Sequence, residues 1–194
     1  MLAVKFYVKL FNMTIKFKSN IGKQVIQLPE NVQIFENDVC LIFKNQEKVL
    51  QIKKSDAFSF SITENELKIT PTNKLKNNAY WGTYRNLIAQ IIIGINSGFQ
   101  QNLELFGIGY KGQVVNDLLR LKPGTSHDLL FNIPKFCSAK FLTPTLLSIS
   151  GTNKQLVRET AVQIHCLRKP DAYKGKGVRL VGKTITLKEG KKQK

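Results

Sequence analysis

Two stretches of the chain repeat their apolar residues with the 3.6-residue period of an amphipathic helix. The first runs from about Tyr80 to Ser97, and its apolar positions are Tyr84, Leu87, Ile88, Ile91, Ile92 and Ile95. Gly98 follows it as a natural C-terminal stop. The second runs from Asn153 to Leu167, with apolar positions at Leu156, Val157, Ala161, Ile164 and Leu167. Thr152 and Gln155 have capping-box spacing at its start, and Pro170 ends it.

Most remaining segments are short, rich in β-branched or aromatic residues and separated by Asn, Asp, Glu and Pro turns, which is typical of strands. Before the first helix the predicted strands are Val25–Leu28, Val32–Phe35, Val39–Lys44, Lys48–Lys53, Phe58–Ile62 and Glu66–Thr70. After it they are Asn102–Phe106, Gly109–Val115, Asp117–Leu121, Asp128–Asn132, Lys140–Leu142 and Leu146–Ser150. Strands followed by a helix occur twice, so we predict an α+β fold with two tandem copies of a small antiparallel sheet packed with a helix.

Positive charge is concentrated at the two ends of the chain, whose formal net charge is +17. Residues 1–29 contain five lysines and no acid, and residues 168–194 contain ten of the 30 Lys and Arg residues but only two acids. The residues between them are close to neutral. Basic ends around a globular centre favour a nucleic acid as the partner, with an anionic membrane surface or a merely solvated charge run as alternatives.

These patterns divide the chain into four parts. They are a basic N-terminal extension (residues 1–19), a first α+β domain (20–98), a second α+β domain (99–180) and a basic C-terminal tail (181–194). We interpret the N-terminal part as a retained extension, because residues 1–18 lack the arginine and serine that transit peptides favour.

Composition and spacing exclude several classes of protein. No apolar run reaches the roughly 20 residues that a membrane-spanning helix needs. Cys40, Cys137 and Cys166 are widely scattered, so we expect neither a disulfide framework nor a metal site. The segment Gly107–Gly112 spells G-x-G-x-x-G, but the residues after it indicate strand, turn and strand. A dinucleotide site needs a helix there.

No catalytic constellation is visible either. His165 and Cys166 are neighbours on the second predicted helix, and adjacent helical side chains point about 100° apart, so we expect a structural role for both. The carboxylates of this half, such as Asp128, stand alone, and no general acid–base pair can be nominated. We therefore predict that the protein is not an enzyme, holds no cofactor and takes no small-molecule substrate.

Four blocks of sequence, in order, resemble the bacterial-type large-subunit ribosomal protein six family. The last block, R-K-P-D-A-Y-K-G-K-G-V-R at residues 168–179, is similar to the family signature R-x-P-x-P-Y-K-G-K-G-[VI]-R-Y. The others are I-G-K (21–23) with L-P-E-N-V (28–32), G-T-Y-R-N-L-I (82–88) with I-G-I (93–95) and G-F (98–99), and L-F-G-I-G-Y (105–110) with G-T-S-H (124–127). The resemblance covers roughly residues 20–192, and residues 36–78 depart from it most.

Individual positions depart from the family pattern. Ala172 replaces the second proline of the signature and Leu180 its final tyrosine, while Asn31 replaces a glycine and Thr125 an aromatic residue.

The resemblance implies a duplicated α/β fold and a place on the large ribosomal subunit near the elongation-factor site, close to the sarcin–ricin loop. The implied partners are large-subunit rRNA, which the second domain (99–180) and the tail would bind, neighbouring large-subunit ribosomal proteins and, transiently, translational GTPases, with no membrane requirement. The implied rRNA-binding residues in the signature are Tyr173, Lys174, Gly175, Lys176, Gly177 and Arg179. Further candidates are Arg168, Lys183, Lys188, Lys191, Lys192, Ser126, His127 and Lys154.

Three alternatives stay open at this point. The first is a basic RNA-binding protein outside the ribosome. The second is a dinucleotide-dependent enzyme built on Gly107, Gly109 and Gly112. The third is a membrane-surface protein that uses residues 1–18. The bias toward Lys, Asn, Ile and Phe suggests an AT-rich genome, as in an organelle. We therefore predict a mitochondrial location, with the plastid and the bacterial cytoplasm as alternatives.

Overall fold

The computed structural model describes residues 19–45, 48–63, 65–72 and 78–190. The chain divides into two compact units, one ending at Ile92 and the other beginning at Ile93, which we call unit 1 and unit 2. The boundary that the sequence predicts, between residues 98 and 99, lies six residues further along and stays a prediction. Residues 1–18 of the predicted extension (1–19) and the last four residues of the predicted tail lie outside the described residues.

The described residues of unit 1 form two antiparallel sheets of three strands each. Its strands are β1 (Ile26–Gln27), β2 (Gln33–Glu36), β3 (Cys40–Lys44), β4 (Val49–Lys53), β5 (Phe58–Ile62) and β6 (Glu66–Pro71). One sheet has the order β1-β6-β5 and the other the order β2-β3-β4. The helix α1 (Asn78–Asn96) follows and continues into the first residues of unit 2. Gly98, at φ +73°, lies two residues after Asn96, the last residue of the helix, and stops it as its position in the sequence predicts.

The first turns of α1 attach to both sheets of unit 1 through polar atoms of aromatic side chains. The indole N–H of Trp81 donates to the carbonyl of Ile69 at 3.1 Å, and the hydroxyl of Tyr84 donates to the carbonyl of Lys53 at 2.9 Å. Both rings are buried, and the ring of Tyr84 is stacked on that of Phe58 with centroids 4.9 Å apart. Each aromatic residue thus buries a large apolar area while satisfying a strand carbonyl.

In unit 2, residues 93–190 also form two antiparallel sheets. Its strands are β7 (Phe99–Phe106), β8 (Lys111–Val115), β9 (Leu118–Lys122), β10 (Leu129–Asn132), β11 (Cys137–Thr143), β12 (Leu146–Gly151) and β13 (Gly177–Leu180). The larger sheet has the order β11-β12-β7-β13, and the smaller has the order β10-β9-β8. The helix α2 (Lys154–Leu167) packs against β7, β12 and β13.

The core of unit 2 lies between α2 and the inner faces of the two sheets. Alternate residues of the strands point inward, as the period of two requires. The fully buried positions include Leu103, Leu119, Leu121, Leu147, Ile149, Ala161, Ile164 and Val178. His165 at the end of α2 joins this core to the edge strand β13, because its Nδ1 lies 2.6 Å from the carbonyl of Val178. A carbonyl only accepts, so Nδ1 carries the proton.

The α+β class is confirmed, and each of the twelve predicted strands and both predicted helices overlaps an observed one. Three details differ. In the part of the chain that the structure describes, each unit forms two separate sheets instead of one. The N-cap of α2 is Asn153, whose side chain accepts from the N–H of Gln155 at 2.9 Å, so the Thr152 capping box is wrong. The strand β13 was not predicted. No helix among the described residues is long and apolar enough to cross a membrane.

Candidate nucleic-acid interface

The C-terminal signature is built into unit 2 and is not a free basic arm. Its last residues form β13, which pairs antiparallel with β7 so that Gly177 faces Phe106 and Val178 faces Leu105. Val178 is fully buried, and its N–H donates to the carbonyl of Arg168 at 2.9 Å. The stretch between α2 and β13 is therefore held at both ends by the core of the unit.

Within this stretch the carboxylate of Asp171 organises a turn, residues 171–176, which we call the signature turn. Its two oxygens accept from the N–H groups of Tyr173 at 3.3 Å and Lys174 at 3.2 Å. The backbone closes the same turn, because the N–H of Gly175 donates to the carbonyl of Asp171 and the N–H of Asp171 to that of Lys176, both at 2.9 Å. A carboxylate that caps successive N–H groups fixes the turn before any ligand arrives.

Two glycines of the signature are required by backbone geometry. Gly175 has φ +65° and Gly177 has φ +149°, conformations that side-chain-bearing residues rarely adopt. A Cβ on Gly177 would also lie 2.6 Å from the Cα of Pro170 and 2.8 Å from the carbonyl oxygen of Lys169. Both glycines are buried. Their contribution is therefore to the shape of the turn.

Arg179 is engaged inside the protein. Its Nε donates to the carbonyl of Gly175 at 2.8 Å, and its Nη2 donates to the same oxygen. The guanidinium carbon lies 3.7 Å from the ring centroid of Phe106, in cation–π geometry. The side chain is half-buried. Arg179 thus fastens the signature turn to the end of β7 while keeping its charge near the surface.

The side chains that point outward are Tyr173 and Lys174 at the tip of the turn. Tyr173 is 59% exposed, Lys174 is exposed and Lys176 is half-buried. The chain after β13 returns to the turn, since the N–H of Lys188 donates to the carbonyl of Ala172 at 2.8 Å. Arg168, Lys183 and Lys188 are all exposed. The predicted contacts Lys191 and Lys192 lie outside the described residues.

The other predicted contacts sit elsewhere on unit 2. Ser126 and His127 are exposed in the turn between β9 and β10, where the hydroxyl of Thr125 donates to the carbonyl of His127 at 2.6 Å. This turn packs on the buried ring of Tyr110: a Cβ on Gly124 would lie 3.2 Å from that ring. Lys154 is exposed at the first position of α2, and its ammonium lies 5.7 Å from the ring centroid of Phe99.

Two of the blocks that carry the resemblance, residues 105–110 with 124–127 and residues 168–179, meet at the end of β7. Phe106 contacts Arg179 of the signature and pairs with Gly177, and Gly107 packs on Tyr110, which in turn contacts Gly124. Segments far apart in sequence are thus joined through one strand end. This convergence explains why the matching residues there are mainly glycines and aromatics, which allow close packing.

The glycine loop at residues 107–112 leads from β7 into β8, which is a strand. The dinucleotide reading of this loop is therefore wrong, because a helix N-terminus is what would hold the pyrophosphate.

The sequence missed one group of charges. Asp128, expected to stand alone, lies 3.5 Å from the ammonium of Lys122 and 4.0 Å from Nε of Arg120. The sequence of β9 contains a signal for this group, because exposed and buried residues alternate along the strand and place Arg120 and Lys122 on its exposed face. Net positive charge along the sequence is concentrated at the two ends of the chain, so charge distribution alone does not indicate this group.

Comparison with known proteins is consistent with this architecture. The family model described as Ribosomal protein L6 matches residues 106–180. Large ribosomal subunit protein uL6 of Erythrobacter litoralis is 35% identical over 176 residues, which cover 90% of this chain and 99% of that protein. Large ribosomal subunit protein uL6m of Reclinomonas americana is 36% identical over 184 residues, covering 90% of this chain and 100% of that protein. The uL6 protein of Helicobacter pylori is 34% identical over 177 residues, with 91% and 99% covered.

Identity at this level over nine-tenths of the chain settles the family, and with it the question of catalysis. The resemblance read from four blocks of sequence is confirmed, and the enzyme alternative is wrong. The chain belongs to the ribosomal protein L6 family, whose members are structural proteins of the ribosome and not enzymes.

Proposed function

We propose that this protein is a structural constituent of the large ribosomal subunit that binds large-subunit rRNA through the signature turn. The observation that carries the proposal is the turn itself, which Asp171 holds in shape while Tyr173 and Lys174 face solvent. The tail that returns to Ala172 adds the exposed ammonium of Lys188 beside it. By the resemblance of the signature, the bound region lies near the sarcin–ricin loop and the elongation-factor site.

A turn that is ordered in advance suits a rigid polyanion. Ordering a loop on binding costs about 1–2 kcal/mol per residue in backbone entropy. Four hydrogen bonds already order the signature turn in the free protein, so binding does not incur this cost again. Lys174 and Lys176 then contact phosphates without further rearrangement of the turn. Release of condensed counterions supplies most of the affinity of such contacts.

The predicted contacts in the signature divide into three roles. Lys174 and Lys176 contact phosphates as mobile point charges. The exposed ring of Tyr173 stacks on an unpaired base or a sugar, which is how aromatic side chains read RNA. Gly175, Gly177 and Arg179 hold the turn in shape and contribute to RNA binding mainly through it.

The salt dependence of binding tests this assignment. The substitutions Lys174→Gln and Lys176→Gln, made together, should flatten the plot of log affinity against log salt by about 1.4–1.8 units, since each lost phosphate contact removes about 0.7–0.9. The probe is a large-subunit rRNA transcript, titrated by filter binding with the full chain. The matched control carries Lys44→Gln and Lys68→Gln, which remove the same charge from exposed positions of unit 1. Equal slopes for the two double variants would contradict the assignment.

Sedimentation tests the assembly part of the proposal. Tagged protein should co-migrate with the large subunit in a sucrose gradient at low salt and release only at high salt. The Lys174/Lys176 variant should release at lower salt than the control variant. A protein that stays at the top of the gradient at every salt concentration would favour an RNA-binding role outside the ribosome.

Proximity to the translational GTPases is tested by cross-linking. A photo-reactive residue in place of Tyr173 should cross-link to rRNA near the sarcin–ricin loop. A bound elongation factor trapped on the ribosome should reduce the cross-link or add a protein product.

We propose a mitochondrial location for this chain. The bias toward Lys, Asn, Ile and Phe and the match to the uL6m protein of Reclinomonas americana support it. The plastid and the bacterial cytoplasm are the alternatives. Fractionation of the source cells distinguishes them, with the protein expected in the mitochondrial ribosome fraction.

A further inference from the structure

A second basic surface lies on the exposed face of the small sheet of unit 2. Lys111 on β8 and Lys122 on β9 are direct cross-strand partners, and Arg120 is the partner of Gln113. All four side chains are exposed. None of them was among the contacts implied by the sequence, because they are separated along the chain and only the pairing of the strands brings them together.

The pairing of Lys111 with Lys122 is unfavourable by itself. Like charges directly opposite each other on neighbouring strands destabilise the pair. Asp128 offsets part of this repulsion through its contacts with Lys122 at 3.5 Å and Arg120 at 4.0 Å. Three cations and one carboxylate still leave an excess of two positive charges on a small area. Such an arrangement is stabilised by an anion that binds between the cations.

The surface is also concave. These side chains, together with Gly112 and Pro144, line an open cleft of about 340 Å³. The floor of the cleft is fixed, because the N–H of Gly112 donates to the carbonyl of Pro144 at 3.2 Å, and a Cβ on Gly112 would collide with the ring of Phe141. A shallow cleft with a rigid floor and a cationic rim suits an extended anion better than an enclosed small molecule.

We propose that this cleft, lined by Lys111, Gln113, Arg120 and Lys122, binds a phosphodiester segment of rRNA separate from the one bound by the signature turn. The proposal rests on the proposed function, because it takes rRNA as the polyanion. Lys111 and Lys122 contact phosphates as point charges, and the planar guanidinium of Arg120 donates to a phosphate from two nitrogens. Gln113 donates to a phosphate or sugar oxygen between them.

Asp128 has a specific part in this arrangement. Its carboxylate occupies Lys122 and Arg120 in the free protein, so RNA must compete with it for both cations. Removing the carboxylate leaves the cations in place and frees them for phosphate. The substitution Asp128→Asn is therefore expected to strengthen binding, which a purely structural role for Asp128 would not produce.

The experiment compares three variants of the full chain by filter binding to a large-subunit rRNA transcript over a range of salt. The variant Lys111→Gln/Arg120→Gln/Lys122→Gln should flatten the log–log salt slope by about two units or more. Asp128→Asn should steepen it by up to about one unit and raise affinity several-fold at 100 mM salt.

The matched control is Lys44→Gln/Lys53→Gln/Lys68→Gln, which removes three exposed charges from unit 1. If the triple cleft variant loses its fold by circular dichroism, Lys111→Gln alone replaces it, since that residue is outside the ion pairs.

A photo-reactive residue at Gln113 identifies the occupant directly. On assembled large subunits it should cross-link to rRNA nucleotides different from those reached from Tyr173. A cross-link to a neighbouring protein, or salt slopes equal to that of the control, would overturn the proposal while leaving the signature turn intact. Failure of the Lys174/Lys176 variant to change the slope would instead count against the proposed function, so the two failures are distinguishable.

Discussion

The blocks that identify the family act differently in the two units. In unit 1 Gly22 of the opening block and Arg85 of the helix block serve packing. A Cβ on Gly22 would lie 2.5 Å from the ring of Trp81, and the guanidinium of Arg85 donates to the carbonyls of Gln24 at 3.2 Å and Val25 at 3.3 Å. In unit 2 the C-terminal signature combines packing residues such as Gly177 with the exposed pair Tyr173 and Lys174.

The difference teaches that a specific sequence block is not by itself a binding site. In unit 1 these blocks mark where α1 closely approaches the segment before β1, and the side chains of Trp81 and Arg85 both contact that segment. In unit 2 the same kind of close packing is used to hold two side chains outward. The packing residues and the contacting residues of a signature can therefore be separated by what each does to stability and to the salt dependence of RNA binding.

The substitution Gly177→Ala should produce the largest effect on stability. Its positive φ and the 2.6 Å approach of the new Cβ to Pro170 Cα both oppose the native backbone. Backbone strain and overpacking of this kind together cost about 3 kcal/mol or more. Urea denaturation followed by circular dichroism should show a lower midpoint, and β13 should lose protection from hydrogen exchange.

Gly190→Ala is the matched control for this substitution, because no heavy atom lies within 4 Å of the position of its Cβ. Its stability should stay within about 0.5 kcal/mol of the native protein. If Gly177→Ala behaved like the control, the signature would be a loose segment and the contrast between the units would be lost.

The pH dependence of stability tests the packing role of Tyr84 in unit 1. Burial, with the neighbouring Tyr80 phenol acting in the same direction, raises the pKa of Tyr84 from 10.0 to about 12. The folded state thus favours the neutral phenol. Its stabilising contribution is complete below pH 10 and is lost as the pH rises from 10 to 12, at about 1.4 kcal/mol per pH unit at most.

The readout is the difference in unfolding free energy between the native protein and Tyr84→Phe. At pH 7 the variant should be less stable by about 1 kcal/mol, because the carbonyl of Lys53 loses its donor. The difference should shrink above pH 10 and reach zero or reverse by pH 12. Lysine deprotonation affects both proteins alike and cancels. A difference independent of pH would mean that the phenol is solvated and that Tyr84 does not serve packing.

The sequence predicted the regular elements because hydrophobic period and turn residues are local signals. The strand β13 escaped, since Gly177–Leu180 is short, contains two residues typical of the basic signature and lies next to a lysine-glycine run. Its pairing with β7 is a contact between residues about 70 positions apart, which no local pattern contains. The internal contacts of Arg179 escaped for the same reason. Nothing in its neighbours along the chain reveals that Phe106 lies beneath it.

The smallest effects on stability and RNA binding are expected for two substitutions within the signature, at Arg179 and at Lys174. Arg179→Lys keeps the charge but loses the planar group that donates twice to the Gly175 carbonyl and stacks on Phe106. It should lower stability by about 1 kcal/mol and weaken RNA binding without changing the salt slope. Lys174→Gln should leave the urea midpoint unchanged and flatten the slope by somewhat less than about one unit.

Both variants differ from the native protein at one exposed or half-exposed position, so filter binding and urea denaturation of the two can be compared directly. A change of slope with unchanged stability for Arg179→Lys would place its guanidinium on a phosphate and move Arg179 into the contacting group. An unchanged salt slope with lowered stability for Lys174→Gln would mean that Lys174, at the tip of the signature turn, stabilises the turn and does not contact RNA. With the expected pattern, Arg179 stabilises the turn, as Arg85 ties α1 to the carbonyls of Gln24 and Val25 in unit 1, and RNA contact within the turn belongs to the side chains that Asp171 turns outward.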